Sequence, residues 1–219
     1  MIKVETHFHT GESSFCARIS AAQGIAVYKD IYDAIIVTDH FARYSHNQMP
    51  HLSYEGYVNW WLTGYNKAFS AGEKYGVKVF LGMEITPDNS SNDYLIYGIS
   101  KEILLANNGL FAMNEGKLKQ FSDDNNLLMF QAHPFRPYIT VCDPKNVHGV
   151  ETFNGNPRHD NNNDKSLAFA EKHHLMHISG SDFHKEGDEY TGGIAMEHMP
   201  KDNADFVEML KNREYSCLK

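Results

Sequence analysis

The chain has 219 residues, 42% hydrophobic and 22% charged, the balance of a globular domain with a sizeable core. Its formal net charge of −8 excludes the basic surface that stable nucleic-acid or anionic-membrane binding needs, and no run of about 18 apolar residues is present to span a bilayer. Three cysteines without a CxxC pair (Cys16, Cys142, Cys217), and an N-terminus without a signal-peptide core, point to a reducing, cytoplasmic setting.

Short β-like runs then alternate with helix-like stretches. Strands are expected at 2–7, 33–38, 77–85, 94–99, 126–131, 148–153 and 175–179. Helices are expected at 20–29, 54–75, 114–123, 164–173 and 202–210. In the last of these Asp202 is placed to cap the N-terminus, and Phe206, Val207 and Leu210 share one face. The aromatic series Tyr54, Tyr57, Trp60, Trp61, Tyr65 has mostly helical spacing and is expected to pack the core. Alternation of strand and helix favours a parallel sheet or barrel in a single domain. The polar stretches 87–92 and 161–163 are short enough to be loops, while 41–53 reads as a longer loop on the face where the strands end.

Histidines and acids recur where these strands finish. His7-Phe8-His9 closes the first, Thr38-Asp39-His40 the second and Gly82-Met83-Glu84 the third. Ala132-His133-Pro134 and Ser181-Asp182-Phe183-His184 close later ones. Barrel enzymes place their chemistry at such strand ends. His7 and His9 alternate with Phe8, so a strand presents both imidazoles on one side, a natural pair of ligands for one metal. A solvated pair of surface histidines has the same spacing, and Asp39 alone has the look of a helix cap. Glu84 is harder to dismiss, because a carboxylate ending an apolar run needs a partner or a cation. One metal cluster accounts for all of these positions together. Arg136, three residues past His133, is a candidate for gripping phosphate oxygens with its planar fork.

This ordered set resembles the polymerase and histidinol phosphatase (PHP) family of metal-dependent phosphoesterases, over nearly the whole chain. The resemblance implies an α/β fold, a distorted (β/α)7 barrel of the PHP type, holding two or three divalent metal ions, commonly zinc, manganese or iron. Carried over by position, His7, His9, Glu84 and Asp182 would hold the first ion. Glu84 would bridge to a second bound by His133, and His40 and His184 would serve a third. Two positions depart from the family pattern. Ser14 stands where the family has an acidic ligand for the third ion, which leaves Glu12 or water to complete it. Asp93 stands where a histidine completes the second, and a carboxylate can replace imidazole there. The activity implied is hydrolysis of a small phosphorylated metabolite or nucleotide by metal-activated hydroxide, with Asp39 and Asp182 orienting ligands or relaying a proton. Two other readings are a non-catalytic metal-binding module and an amidohydrolase-type enzyme, which usually has a lysine as metal bridge. Oligomeric state is not encoded in any readable pattern.

Overall fold

The computed structural model describes residues 1–88, 90–188 and 191–219. Residue 89 of the expected loop at 87–92 lies outside the described residues. The apolar runs of the sequence become β1 (Ile2–Phe8), β2 (Ala34–Val37), β3 (His40–Ala42), β4 (Lys78–Thr86) and β5 (Tyr94–Tyr97). β6 (Leu128–Gln131), β7 (Gly149–Asn154), β8 (Met176–Gly180), β9 (Ile194–Met196) and β10 (Tyr215–Cys217) follow. Around the sheet β1, β2 and β4 run parallel, as do β6, β7 and β8. Between these groups β5 is antiparallel to both neighbours. Phe8 and Phe183 form a parallel bridge, and Thr6 Oγ1 donates to Ser179 O at 2.6 Å, which brings β8 back to β1. The nine strands of this path therefore make a nearly closed, distorted barrel. β9 and β10 continue from β1, and Tyr215 Oη reaches His177 O of β8 at 2.6 Å.

The helices are α1 (Ala21–Tyr28), α2 (Arg43–Asn47), α3 (Tyr54–Tyr75) and α4 (Lys101–Ala106), then α5 (Glu115–Asp124), α6 (Asn163–His173) and α7 (Asn203–Lys211). Their starts are chemical. Ser20 and Gln23 form a capping box, and Ser53, Asn114 and Asp202 each accept from a first-turn amide. Phe206, Val207 and Leu210 of α7 pack with Val4, Ile36, Phe80, Leu95, Tyr97 and Phe130 of the strands. Phe8 points the other way, stacked on Phe183 and against Tyr28 beneath α1. That leaves His7 and His9 together on the opposite side.

The segment 41–53 is not one long loop. His40–Ala42 pairs parallel with β4, and Arg43–Asn47 forms α2. Neither piece announces itself: the strand is three residues long, and α2 begins at Ala42 with no side-chain cap. The pairing sets His40 opposite Glu84 in register.

Candidate metal centre

The cluster sits on the face where β1, β2, β4, β6 and β8 end. Asp93 joins it because β5 is reversed, so the residue before that strand lies on the same face. At the centre is Glu84, fully buried in β4. Its Oε1 has His7 Nε2 at 3.4 Å and His133 Nε2 at 3.3 Å; its Oε2 has His9 Nε2 at 3.3 Å and His40 Nδ1 at 3.0 Å. On the far side of the first two histidines, Asp182 Oδ1 lies 3.5 Å from both His7 Nε2 and His9 Nε2 and 3.3 Å from His184 Nδ1.

These separations carry a chemical message. Glu84 Oε1 and Oε2, His7 Nε2, His9 Nε2 and His40 Nδ1 are buried, yet make no hydrogen bond. Buried polar atoms left unpaired cost free energy, about 1–3 kcal/mol each, so such a concentration needs a partner. Ligands 2.0–2.2 Å from a tetrahedral ion stand about 3.4 Å from one another. The donors are thus spaced for cations between them. Four overlapping triads bring their ligand atoms within 4.8 Å: His7–His9–Asp182, His7–Glu84–His133, His40–Glu84–Asp93 and His9–His40–His184. All eight residues expected as ligands fall in them. The residues present fit the binding of divalent metal.

A second ring of side chains orients the first. His7 Nδ1 lies 2.9 Å from Glu151 Oε1, and Glu151 Oε2 accepts from His133 N and Asn154 Nδ2, each at 2.9 Å. Such a carboxylate–imidazole pair fixes the tautomer and turns Nε2 toward a metal. His9 Nδ1 meets Ser14 Oγ at 3.2 Å, and Ser14 Oγ donates to Asp39 Oδ1 at 2.7 Å. Asp39 also accepts from Thr10 N and Thr10 Oγ1, both at 2.7 Å. The Asp39 carboxylate therefore lies behind His9 with both oxygens engaged, and is hydrogen-bonded to the cluster through Ser14. Burial pushes its carboxyl up to about 6, against the pull of Ser14 and Thr10. Glu12 faces elsewhere: its Oε2 accepts from Ala21 N at 2.8 Å and its Oε1 lies 3.4 Å from Lys67 Nζ. Asp93 accepts a short hydrogen bond from Thr86 Oγ1.

Arg136 is held at the rim. Its Nε donates to Asn161 Oδ1 at 2.9 Å, and Nη2 to Asp182 Oδ2 at 2.7 Å and Asn154 Oδ1 at 3.2 Å. Asn156 Nδ2 donates to the Asp182 carbonyl at 3.0 Å. Burial works against ionised Asp182, but His7, His184 and Arg136 hold its carboxyl well below the usual carboxylate range. His133 and Asp182 have φ of 31° and 53°, a left-handed backbone uncommon for such residues and frequent at functional sites. A cleft of about 710 Å³ beside α6 shares Asn154, Asn156 and Asn161 with this network, though the cluster histidines do not line it.

Two participants escaped the sequence reading. Glu151 lies inside β7, a buried carboxylate in an apolar strand, which is the signal that marked Glu84. Cys16 carried only a redox-compartment argument, yet its Sγ lies 3.2 Å from His184 Nε2. Burial would raise this thiol, but contacts with His184 and His40 bring it down to about 6. The remaining histidines stay outside the cluster: His173 ends α6, His174 caps it, and His148 bridges β6 and α5. Of the aromatic series, Tyr57 and Trp61 are buried in the core, while Trp60 stacks on Phe15 at 5.6 Å.

No protein-family model and no curated protein matches the sequence. Solved structures do match its fold. A two-domain protein of Bacteroides vulgatus, containing a predicted PHP-like metal-dependent phosphoesterase, superposes with a TM-score of 0.69 at 19% identity. The match covers 99% of this chain, which spans only 64% of that one. A protein of Bifidobacterium adolescentis assigned to the metal-dependent phosphoesterases gives 0.56 at 14% identity, over 95% of both chains. An amidohydrolase of Chromobacterium violaceum, solved with bound sulfate, gives 0.61 at 15% identity over 96% of both. The chain thus has the PHP-type barrel fold.

Proposed function

We propose that this protein is a metal-dependent phosphoesterase, a phosphomonoesterase acting on a small phosphorylated metabolite or nucleotide. The observation that carries this reading is the Glu84 hub, a buried carboxylate with four imidazole nitrogens at 3.0–3.4 Å and no hydrogen bond of its own. Divalent zinc, manganese or iron bound there would neutralise a phosphate ester and make hydroxide available near neutral pH. In this assignment His7, His9 and Asp182 would hold one ion, Glu84, His133 and Asp93 a second, and His40 and His184 a third.

The chain's own groups supply position. Glu151 and Ser14 hold the rings of His7 and His9 with Nε2 toward Glu84. Asp39 acts as a positioning residue through Ser14. Arg136, its fork aligned by Asn161, Asn154 and Asp182, would take a phosphate oxygen at the rim. Asp182 holds that arginine with one oxygen while the other faces the imidazoles. The net charge of −8 favours small substrates over nucleic acid, and three unpaired cysteines suit a cytoplasmic setting. No helix among the described residues is long and apolar enough to cross a membrane.

The amidohydrolase neighbour gives C–N hydrolysis a place as second reading. A buried glutamate, Glu84, stands at the centre of the cluster where such an enzyme usually has a lysine, which favours the ester. A panel of phosphomonoesters, phosphodiesters and amides, tested on protein loaded with manganese or zinc, separates the two. Turnover confined to monoesters is expected. Hydrolysis of amides alone would select the second reading, and no hydrolysis at all would leave a binding module.

A further inference from the structure

The third group of donors, His9, His40 and His184, has no carboxylate of its own. Ser14 is turned to His9 and Asp39, and Glu12 accepts from Ala21 N at the start of α1. Three neutral imidazoles leave a dication's charge uncompensated at that end of the cluster. The loop that follows β1 brings up one more donor. Gly11 N donates to Ile19 O at 2.8 Å, Ala17 N to Ser14 O at 3.0 Å and Arg18 N to His184 O at 2.7 Å. These bonds tie the loop to the strand end that carries His184 and place Cys16 Sγ 3.2 Å from His184 Nε2. His184 Nδ1 lies 2.9 Å from the Asp182 carbonyl, whose oxygen can only accept, so Nδ1 carries the proton and Nε2 the lone pair. A sulfur and a nitrogen ligating one zinc, at 2.3 and 2.0–2.1 Å, stand about 3.5 Å apart. The observed separation is close to that. Beside this group, His9 Nε2 is buried and makes no hydrogen bond.

We propose that Cys16 is a thiolate ligand of the third ion, completing a sulfur–nitrogen site with His40 and His184. On binding, the thiol gives its proton to solvent and sulfur bonds the metal. A thiolate is a soft donor, so this position selects zinc over manganese or magnesium, while the oxygen-rich positions around Glu84 and Asp93 accept either. The same residue makes the third ion sensitive to thiol oxidants. The inference rests on reading the cluster as a metal centre.

Cobalt(II) loaded into the full chain tests it by absorption. Wild-type protein should show the visible bands of bound cobalt and a near-ultraviolet thiolate-to-cobalt charge-transfer band. Cys16→Ser should lose the charge-transfer band and about one ion per chain, while keeping the visible bands of the remaining ions. Cys16→Asp, which restores an anionic donor without sulfur, should recover that ion but not the band. Cobalt uptake with no charge-transfer band, or a band that survives in Cys16→Ser, would overturn the assignment of Cys16 and leave the metal-centre reading intact. Failure to bind cobalt at all would overturn both.

Discussion

At the scale of single residues, the cluster divides into groups that touch the central space and groups that hold them. Glu151 belongs to the second kind, and its loss has a defined size. Glu151→Gln keeps the shape but weakens the acceptor for His7 Nδ1 and the His133 amide. Metal affinity or turnover should fall roughly 10–100-fold, measured by competition with a metallochromic chelator. Unchanged affinity would mean that His7 needs no orienting carboxylate. Arg136 is argued to meet substrate, so Arg136→Ala should raise KM or lower kcat/KM roughly 10–100-fold, a loss of about 1.5–3 kcal/mol. Metal content should be unchanged. If metal is lost instead, the 2.7 Å contact with Asp182 is the residue's whole role. His7, His9, Glu84, His133 and Asp182 were legible in the sequence because each closes or follows an apolar strand. Cys16 was not, since it lies in a loop whose position depends on hydrogen bonds to His184, 166 residues or more away in the chain.

At the scale of elements, α3 packs unusually close to the back of the site. A Cβ on Gly64 would overlap Thr10 Oγ1 and Asp39 Oδ2, the groups that align Ser14 and through it His9. Gly64→Ala should therefore destabilise the fold by about 1–3 kcal/mol, measured by urea denaturation, and loosen the cluster at the same time. A neutral effect would show that α3 can shift without cost. On the opposite flank His148 ties β6 to its surroundings. Its Nδ1 accepts from Met129 N at 2.9 Å, and its Nε2 lies 2.9 Å from Asp123 Oδ1. Burial, then the nearby Lys119, lowers its pKa below the ordinary 6.5. The unfolded chain consequently takes up the proton first, so stability is full above 6.5 and falls as pH drops below it. The stability advantage of wild type over His148→Gln should shrink between about pH 7.5 and about pH 5.5. An advantage constant across that range would contradict the assignment. The long strands and five of the helices were readable from alternation, and the start of α7 from Asp202. β3, β9, β10 and α2 were not, because three to five residues held by pairing and packing leave no period to read.

At the scale of the whole molecule, the barrel closes around a set of buried acids and imidazoles that do not satisfy one another. Glu84, Asp182, His7 and His9 are all at most 2% exposed, and ions bound among them would link metal binding to folding. Chelation should therefore lower the melting temperature, by an amount that grows as free metal is reduced. A melting temperature indifferent to chelator would mean the cluster is satisfied without ions. The reversed β5 also finds its reason at this scale: it brings Asp93 to the ligand face, where a seventh parallel strand would have carried it to the other end of the barrel. The sequence placed Asp93 beside the strand but could not show its direction, which is a property of pairing with β4 and β6. Hydrolysis of phosphate monoesters at this centre is tested most directly by the release of phenol from an aryl phosphate by chelator-stripped protein titrated with manganese or zinc. No turnover is expected in the stripped protein, and a rise to a plateau as ions are restored; a fully metal-loaded protein that leaves the ester intact would contradict the proposed activity.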